Sequence, residues 1–165
     1  MAAVSARRHD PVMSIAAFPT RAGFGIAPGD GERIWSVGET LTAKATGERT
    51  GGHLVVLENV VPPGGGPPPH IHTHEDEFVY VLAGQVTLVT DAGEQTLGPG
   101  MCAGYPAGKR DAHHFINRGN VPASYLEIGN RIEGDKCFYP DDDLIWCDDG
   151  NGEYGAHRDG RRYEK

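Results

Sequence analysis

One stretch of the sequence, Gly64 to Gly84, constrains the fold more than any other; it reads GGGPPPHIHTHEDEFVYVLAG. Its Gly/Pro opening excludes a helix or a central strand, because proline lacks a backbone N–H. His70 and His72 stand two residues apart, so both imidazoles project from the same face of an extended segment. Glu77 follows, just before an apolar run, Phe78 to Leu82, that predicts a buried strand. Two imidazoles and a carboxylate form a mixed nitrogen and oxygen set that suits a first-row divalent metal.

The rest of the chain is predicted to be rich in short strands. The sequence contains 24 glycines and 12 prolines among 165 residues, which favours tight turns over helices. Before residue 130 no segment has a helical period. Alternating or continuous apolar runs predict strands at His53–Val61, Gln85–Thr90, Glu94–Leu97, Met101–Tyr105 and Ser124–Ile128. Asp91-Ala92-Gly93 is predicted to be a three-residue hairpin turn in which Gly93 takes a positive φ. The sequence therefore predicts an all-β sandwich or barrel.

Two multi-residue motifs resemble those of the cupins. The first cupin motif, G-x5-H-x-H-x4-E-x6-G, is matched in every spacing by Gly64, His70, His72, Glu77 and Gly84. The second, G-x5-P-x-G-x2-H-x3-N, is matched by Gly100, Pro106, Gly108, His113 and Asn117. One departure is that four residues, Lys109 to Ala112, separate Gly108 from His113 where the motif has two. The resemblance implies a cupin-type jelly-roll β-barrel.

The resemblance also implies a metal centre. Its ligands would be His70, His72, Glu77 and His113, and its cofactor one divalent transition metal: Fe, Mn, Ni, Co or Zn. The longer turn leaves His114 as an alternative to His113, although the H-x3-N spacing favours His113. One of the turn residues His74, Glu75 or Asp76 is a candidate outer acceptor that steadies a ligand imidazole.

The domain organisation is predicted in three parts. Residues 1–30 form an irregular N-terminal arm, residues 31–130 form the cupin barrel, and residues 131–165 form a C-terminal tail. The tail is polar with apolar islets around Phe138 and Trp146, and these islets are expected to pack on the barrel or on a dimer partner.

Charge and composition limit the partners. A net charge of −8 argues against nucleic acid and anionic membranes. No apolar run approaches the roughly 18 residues of a membrane-spanning helix. Three irregularly spaced cysteines do not resemble a disulfide framework, which favours a reducing cytoplasm. We therefore expect a small-molecule substrate or ligand and, as in most small cupins, a homodimer.

The motifs predict a site but no single reaction, because one fold hosts many chemistries. The first hypothesis is a mononuclear dioxygenase-like enzyme acting on a small oxygenated organic substrate. The alternatives are a redox-neutral isomerase, epimerase or decarboxylase, and a non-catalytic ligand-binding cupin. A redox-neutral enzyme needs a general acid or base near the metal, for which Tyr105, His114 and Lys109 are candidates. No catalytic residue is assigned from the sequence.

Overall fold

The structure is a computed structural model that describes residues 23–36, 38–149 and 153–164. Most of the predicted N-terminal arm, residues 1–22, lies outside the described residues. The described residues form strands β1 Arg33–Ser36, β2 Glu39–Ala45, β3 Val55–Val61, β4 Ile71–His72, β5 Glu77–Ala83, β6 Val86–Thr90, β7 Gly93–Leu97, β8 Cys102–Tyr105, β9 His114–Ile116, β10 Ala123–Gly129, β11 Lys136–Tyr139, β12 Leu144–Asp148 and β13 Glu153–Ala156, and one short helix, α1 Gly47–Thr50. The all-β class predicted from the sequence is confirmed.

Three sheets make up the fold. The largest has the strand order β1-β2-β3-β10-β5-β8, the second β13-β12-β11-β4, and the third β7-β6-β9. All pairings between these strands are antiparallel, as in a jelly roll. The order places β10 between β3 and β5, so strands distant in sequence are neighbours in the barrel wall.

The core lies between the largest and the three-stranded sheets. Its buried cluster takes side chains from both: Val61, Val79, Val81, Ala123 and Tyr125 from one sheet, and Val86, Leu97 and Phe115 from the other. Strand β5 shows the alternation most clearly, since Val79 and Val81 are buried and Tyr80 between them is exposed. The packing of the two sheets therefore encloses one apolar interior.

Strand β5 corrects the prediction of a wholly buried strand. Val79 and Val81 are fully buried, whereas Phe78, Tyr80 and Leu82 are each 41% exposed. Only one face of β5 therefore meets the core, and the apolar residues of its other face line the outer surface. A continuous apolar run does not distinguish these two arrangements.

Two local predictions are also revised. No helix was predicted before residue 130, but the connection between β2 and β3 contains the short helix α1, which Gly51 ends in the left-handed region at φ 86°. In the β6–β7 hairpin Thr90 pairs with Gly93, so the loop is two residues long and not three. Gly93 has the expected positive φ, at 124°.

The segment after residue 130 forms strands. β11, β12 and β13 make an antiparallel meander, and β11 pairs with β4, the two-residue strand that holds His72. The apolar islets predicted around Phe138 and Trp146 lie in β11 and β12. Within the described ranges, no helix is long and apolar enough to cross a membrane.

Candidate metal centre

The four predicted ligands lie where the three sheets meet. His72 belongs to β4 of the four-stranded sheet, and Glu77 is the first residue of β5 in the largest sheet. His113 immediately precedes β9 of the three-stranded sheet. The backbones of His70 and His113 exchange two hydrogen bonds, of 3.0 and 3.1 Å, and so face each other directly. Residues from separate sheets thus converge on one region of the barrel interior.

Three of these residues form a compact buried cluster. Nε2 of His113 lies 3.0 Å from Oε2 of Glu77, and Nε2 of His70 lies 3.6 Å from the same oxygen. One ligand atom from each of His70, Glu77 and His113 lies within 4.8 Å of the other two. Two imidazole nitrogens and a carboxylate oxygen at this spacing have the chemistry that a first-row divalent metal requires.

The hydrogen bond of His70 fixes its tautomer. Its Nδ1 lies 2.9 Å from the carbonyl oxygen of Pro68. A carbonyl only accepts, so Nδ1 must carry the donated proton, and Nε2 is left to serve as a ligand. The polyproline run in the first motif therefore orients an imidazole as well as excluding a helix.

His72 stands beside this cluster. Its ring centroid lies 5.5 Å from that of His70, and the two rings are nearly perpendicular. Nδ1 of His72 donates to Oδ2 of Asp135 over 2.7 Å. A second group of ligand atoms within 4.8 Å of one another joins His70 and His72 to Cys137. The two groups share His70, so the centre has a nitrogen and oxygen side and a nitrogen and sulfur side.

The structure separates the two alternatives left by the second motif. His113 is buried, at 3% exposure, and faces the cluster. His114 points away, with Nδ1 3.2 Å from the carbonyl oxygen of Pro67, and lines a different cavity beside Arg110. Alternation along an extended segment accounts for this split, because adjacent side chains face opposite sides.

Nearby carboxylates raise the pKa values of two of these histidines. Burial alone would lower the pKa of His70, but its hydrogen bond and charge interaction with Glu77 outweigh burial and raise that pKa to about 9. For His72 burial is likewise outweighed, chiefly by Asp135, and the pKa rises well above its ordinary value. Burial lowers the pKa of His113 despite the nearby Glu77. A bound cation would take the place of the protons that these groups now share.

A cavity of about 380 Å³ opens over the centre. His72, Glu77 and His113 are part of its wall. The remaining wall is mixed, with apolar groups and a few polar ones: Ile71, Leu88, Ala103, Gly104 and Pro106, and Glu75, Thr90, Tyr105, Lys109 and Asp111. Of the predicted acid or base candidates, Tyr105 and Lys109 therefore lie in this cavity and His114 does not.

Tyr105 is the most distinctive polar group in that wall. Its ring stacks on the imidazole of His113, with centroids 3.6 Å apart and planes 2° from parallel. Its buried hydroxyl has no hydrogen-bond partner among the described residues. Burial, with the charges of Glu77 and Asp111, raises its pKa, so the hydroxyl keeps its proton at neutral pH. This protonated, unpartnered hydroxyl could donate to a ligand once neighbouring side chains move to expose its buried oxygen.

Sequence reasoning missed the residues in and directly before β11 that lie at the centre. The predicted outer acceptor was His74, Glu75 or Asp76, but the residue that binds His72 is Asp135. Cys137 sits directly opposite His72 in the β11–β4 pairing. Tyr139 lies nearby on the same strand, its ring centroid 6.0 Å from that of His70. The sequence offered one signal for these residues: Cys137 and Tyr139 are two positions apart, and residues at that spacing share a strand face.

Comparison with known proteins places the chain in a family. Residues 58–129 match a family model described as a cupin domain. The chain is 32% identical to a sugar phosphate isomerase of the cupin superfamily from Silicibacter pomeroyi, with a TM-score of 0.68 over 77% of this chain and 81% of that one. It therefore belongs to the cupin superfamily.

Other relatives differ in their chemistry. A candidate sugar phosphate isomerase from Acidithiobacillus ferrooxidans is 25% identical, with a TM-score of 0.67 over 84% of this chain and 91% of that one. Quercetin 2,3-dioxygenase from Bacillus subtilis is 30% identical over 112 residues, 65% of this chain and 33% of that protein. The chain thus spans about a third of that curated relative's length.

Proposed function

We propose that this protein is a mononuclear metal-dependent enzyme of dioxygenase-like activity that acts on a small oxygenated organic molecule. The observation that carries the proposal is the convergence of imidazole and carboxylate groups on the wall of a cavity that also has apolar sides. A concave site that combines apolar walls with convergent polar groups is the usual form of a small-molecule site.

The metal would be held by His70, His72, Glu77 and His113. The donor set fits, because Pro68 and Asp135 engage Nδ1 of His70 and His72 and leave the Nε2 atoms as ligands. Three imidazoles and one carboxylate suit Fe, Mn, Ni, Co or Zn. When bound, such an ion supplies Lewis-acid activation of an oxygen-bearing substrate and, for a redox-active ion, access to dioxygen.

The cavity wall favours a substrate without a phosphate. Lys109 is the single lysine or arginine among the described residues of this wall, and the acidic groups Glu75, Glu77 and Asp111 share it. Recognition of a phosphate generally uses several cationic or backbone donors. Ile71, Leu88 and Ala103 instead offer contact to carbon atoms. An enol, catechol or similar molecule presents oxygen to the metal and carbon to these residues.

A redox-neutral isomerase, epimerase or decarboxylase is the second candidate function. The unpartnered hydroxyl of Tyr105 favours it, because this group, once exposed by movement of its neighbours, could donate a proton or hydrogen bond to a reacting carbonyl. The similarity to the Silicibacter pomeroyi isomerase adds support, since it extends over most of both chains. A non-catalytic ligand-binding role would need the same cavity but no turnover. A homodimer remains a prediction.

Metal analysis of the purified full chain, prepared without a chelating tag, tests the proposal. Wild type is compared with His72→Ala and with His53→Ala, which changes an exposed histidine outside the cluster. We expect one equivalent of Fe, Mn or Ni in wild type and His53→Ala and loss from His72→Ala. Oxygen uptake is then measured with small enols and catechols.

The outcomes separate the candidate functions. Oxygen-dependent turnover that requires the metal supports the dioxygenase. Bound Zn with turnover of a hydroxy-carbonyl substrate in the absence of oxygen supports the redox-neutral enzyme instead. No metal in wild type, even after reconstitution with each ion, would overturn the metalloenzyme proposal.

A further inference from the structure

We infer that Cys137 is a thiolate ligand on the second side of this centre, where with His70 and His72 it takes a borderline or soft divalent ion such as Zn²⁺ or Co²⁺. The inference rests on the proposed metal-binding function and goes beyond it. The ligand set expected from the motifs contains no sulfur.

Strand register places the thiol. Cys137 pairs with His72 across the antiparallel β11–β4 ladder, so the two side chains project from the same face at neighbouring positions. His70 lies two residues before His72 on that face. One ligand atom from each of the three lies within 4.8 Å of the others. Donor atoms around a tetrahedral zinc ion lie roughly 3.3 to 3.7 Å apart, so a modest contraction of these side chains is required.

The surroundings of Cys137 suit a ligand better than a structural thiol. The residue is buried, at 5% exposure, and is a free cysteine. The thiol sulfur lies within 4.8 Å of a ring nitrogen of His70 and of a ring nitrogen of His72, so its environment is polar. A buried cysteine that served only packing would be expected among apolar side chains. Ion binding would release the thiol proton to solvent and leave the thiolate as the donor.

The two sides of the centre would select different ions. Glu77 gives the side that includes His113 a hard oxygen donor, which suits Mn²⁺ and Fe²⁺. Cys137 gives the side that includes His72 a soft donor, which favours Zn²⁺. Because the proposed four-residue centre also uses His70 and His72, the two modes compete for these imidazoles. The identity of the bound ion would therefore depend on whether Cys137 is available.

Co²⁺ titration of the full chain tests the inference, because thiolate coordination gives a near-ultraviolet charge-transfer band that imidazole and carboxylate do not. Wild type, Cys137→Ser and Cys147→Ser are compared after removal of metal by a chelator. Cys147 is a matched control: it is also buried, and it lies on β12 next to Trp146, the residue paired with Cys137, so it faces the other side of the sheet. We expect the band at one equivalent in wild type and Cys147→Ser and its absence from Cys137→Ser.

Affinity gives a second readout. Losing an outer-shell partner costs 10–100-fold in metal affinity, so losing a direct ligand is expected to weaken Zn²⁺ binding by about 100-fold or more. Mn²⁺ affinity is expected to change less than tenfold in the same variant, because oxygen and nitrogen ligands suit that ion. Equal losses for both ions would contradict the inference.

The remaining outcomes each decide the matter. Wild type that binds one Co²⁺ without the thiolate band overturns the inference and leaves the proposed metal-dependent function standing. Wild type that binds no Co²⁺, Zn²⁺ or Mn²⁺ overturns both. If Cys137→Ser fails to fold, the ¹¹³Cd chemical shift of cadmium-loaded wild type reports sulfur ligation without a variant, and a shift typical of nitrogen and oxygen ligands alone overturns the inference.

Discussion

Nδ1 of His72 lies 2.7 Å from Oδ2 of Asp135, a residue 63 positions later in the chain. The other carboxylate oxygen of Asp135 accepts from the backbone N–H groups of His74 and Glu75 and from the hydroxyl of Thr73. Burial would raise the pKa of Asp135, but these donors and His72 outweigh it and hold that pKa well below its usual range. An ionised, fully bonded carboxylate thus sets the orientation of one imidazole at the centre.

We predict that Asp135→Asn weakens metal binding by about 10–100-fold, because an amide neither matches the carboxylate charge nor holds the His72 ring as firmly. Affinity would be measured by competition with a chromophoric chelator. Asp143→Asn is the matched control, since Asp143 makes a similar contact with the imidazole of His157 on an exposed surface. An equal loss in both variants would show that the His72–Asp135 contact has no specific part in metal binding.

Substitutions of the adjacent residues His113 and His114 are predicted to differ sharply in their effect on metal binding. His113→Ala removes a nitrogen from the buried cluster and should abolish stoichiometric metal binding. His114→Ala, which loses only an imidazole that contacts the Pro67 carbonyl, should bind metal within about threefold of wild type. Elemental analysis of the two variants measures this difference. Retention of metal by His113→Ala together with loss from His114→Ala would reverse the assignment made from the H-x3-N spacing.

Removing the Tyr105 hydroxyl is predicted to lower catalytic efficiency without changing the stability of the fold. Tyr105→Phe keeps the ring stacked on His113 and deletes a buried hydroxyl that has no partner in the described part of the chain. We expect kcat/KM to fall by roughly 10–100-fold and the free energy of unfolding to change by less than about 0.5 kcal/mol.

Tyr125→Phe is the control for this prediction. The Tyr125 hydroxyl donates to Glu39 in the core over 2.7 Å, so its loss should cost about 1–3 kcal/mol of stability. Chemical denaturation and steady-state kinetics measure both variants. A Tyr105→Phe variant with unchanged kcat/KM would show that the hydroxyl does not contact the substrate.

Glu39 is predicted to make stability depend on pH. Burial raises its pKa to about 7, although the Tyr125 hydrogen bond partly opposes the rise. The folded protein therefore binds a proton more tightly than the unfolded chain, and the stability from Glu39 is lost as pH rises from about 4.5 to 7. Relative to wild type, Glu39→Gln should gain about 3 kcal/mol across this window.

Denaturation at a series of pH values measures the Glu39 effect as a difference between variant and wild type. Glu94→Gln, which changes an exposed carboxylate paired with Arg118, shows what removal of a surface carboxyl does. A constant difference between Glu39→Gln and wild type from pH 4.5 to 8 would mean that Glu39 stays ionised in the folded state.

Local patterns predicted an all-β sandwich or barrel, and the cupin resemblance added the jelly-roll barrel and several of the residues that converge inside it. Strand periods and turn residues located six of the thirteen described strands within about two residues, and the motif spacing identified His70, Glu77 and His113, which the structure brings together. The family resemblance and the all-β class are confirmed. The exposure of the outer face of β5 was missed because burial depends on which elements cover a sheet. The local sequence of one strand does not contain that information.

The role of β11 was beyond these patterns for a related reason. Asp135 and Cys137 reach the centre only because β11 pairs with β4, and pairing between strands over 60 residues apart has no local sequence signal. The tail looked polar because its strands are short and partly exposed. A two-residue strand such as β4 is also too short to reveal its partner through alternation.

The boundary of the family match has a consequence for how such proteins diverge. The match to the cupin family ends at residue 129, and Asp135 and Cys137 come after it. The barrel thus supplies the residues of both motifs, while Asp135 and Cys137, which lie after the matched segment, stand directly beside them. At the proposed metal centre, substitutions at these two positions would change which ion and which reaction are supported without altering either motif. Chains grouped by the motifs alone would then share an architecture and differ in chemistry, and exchanging β11 between them would transfer the difference.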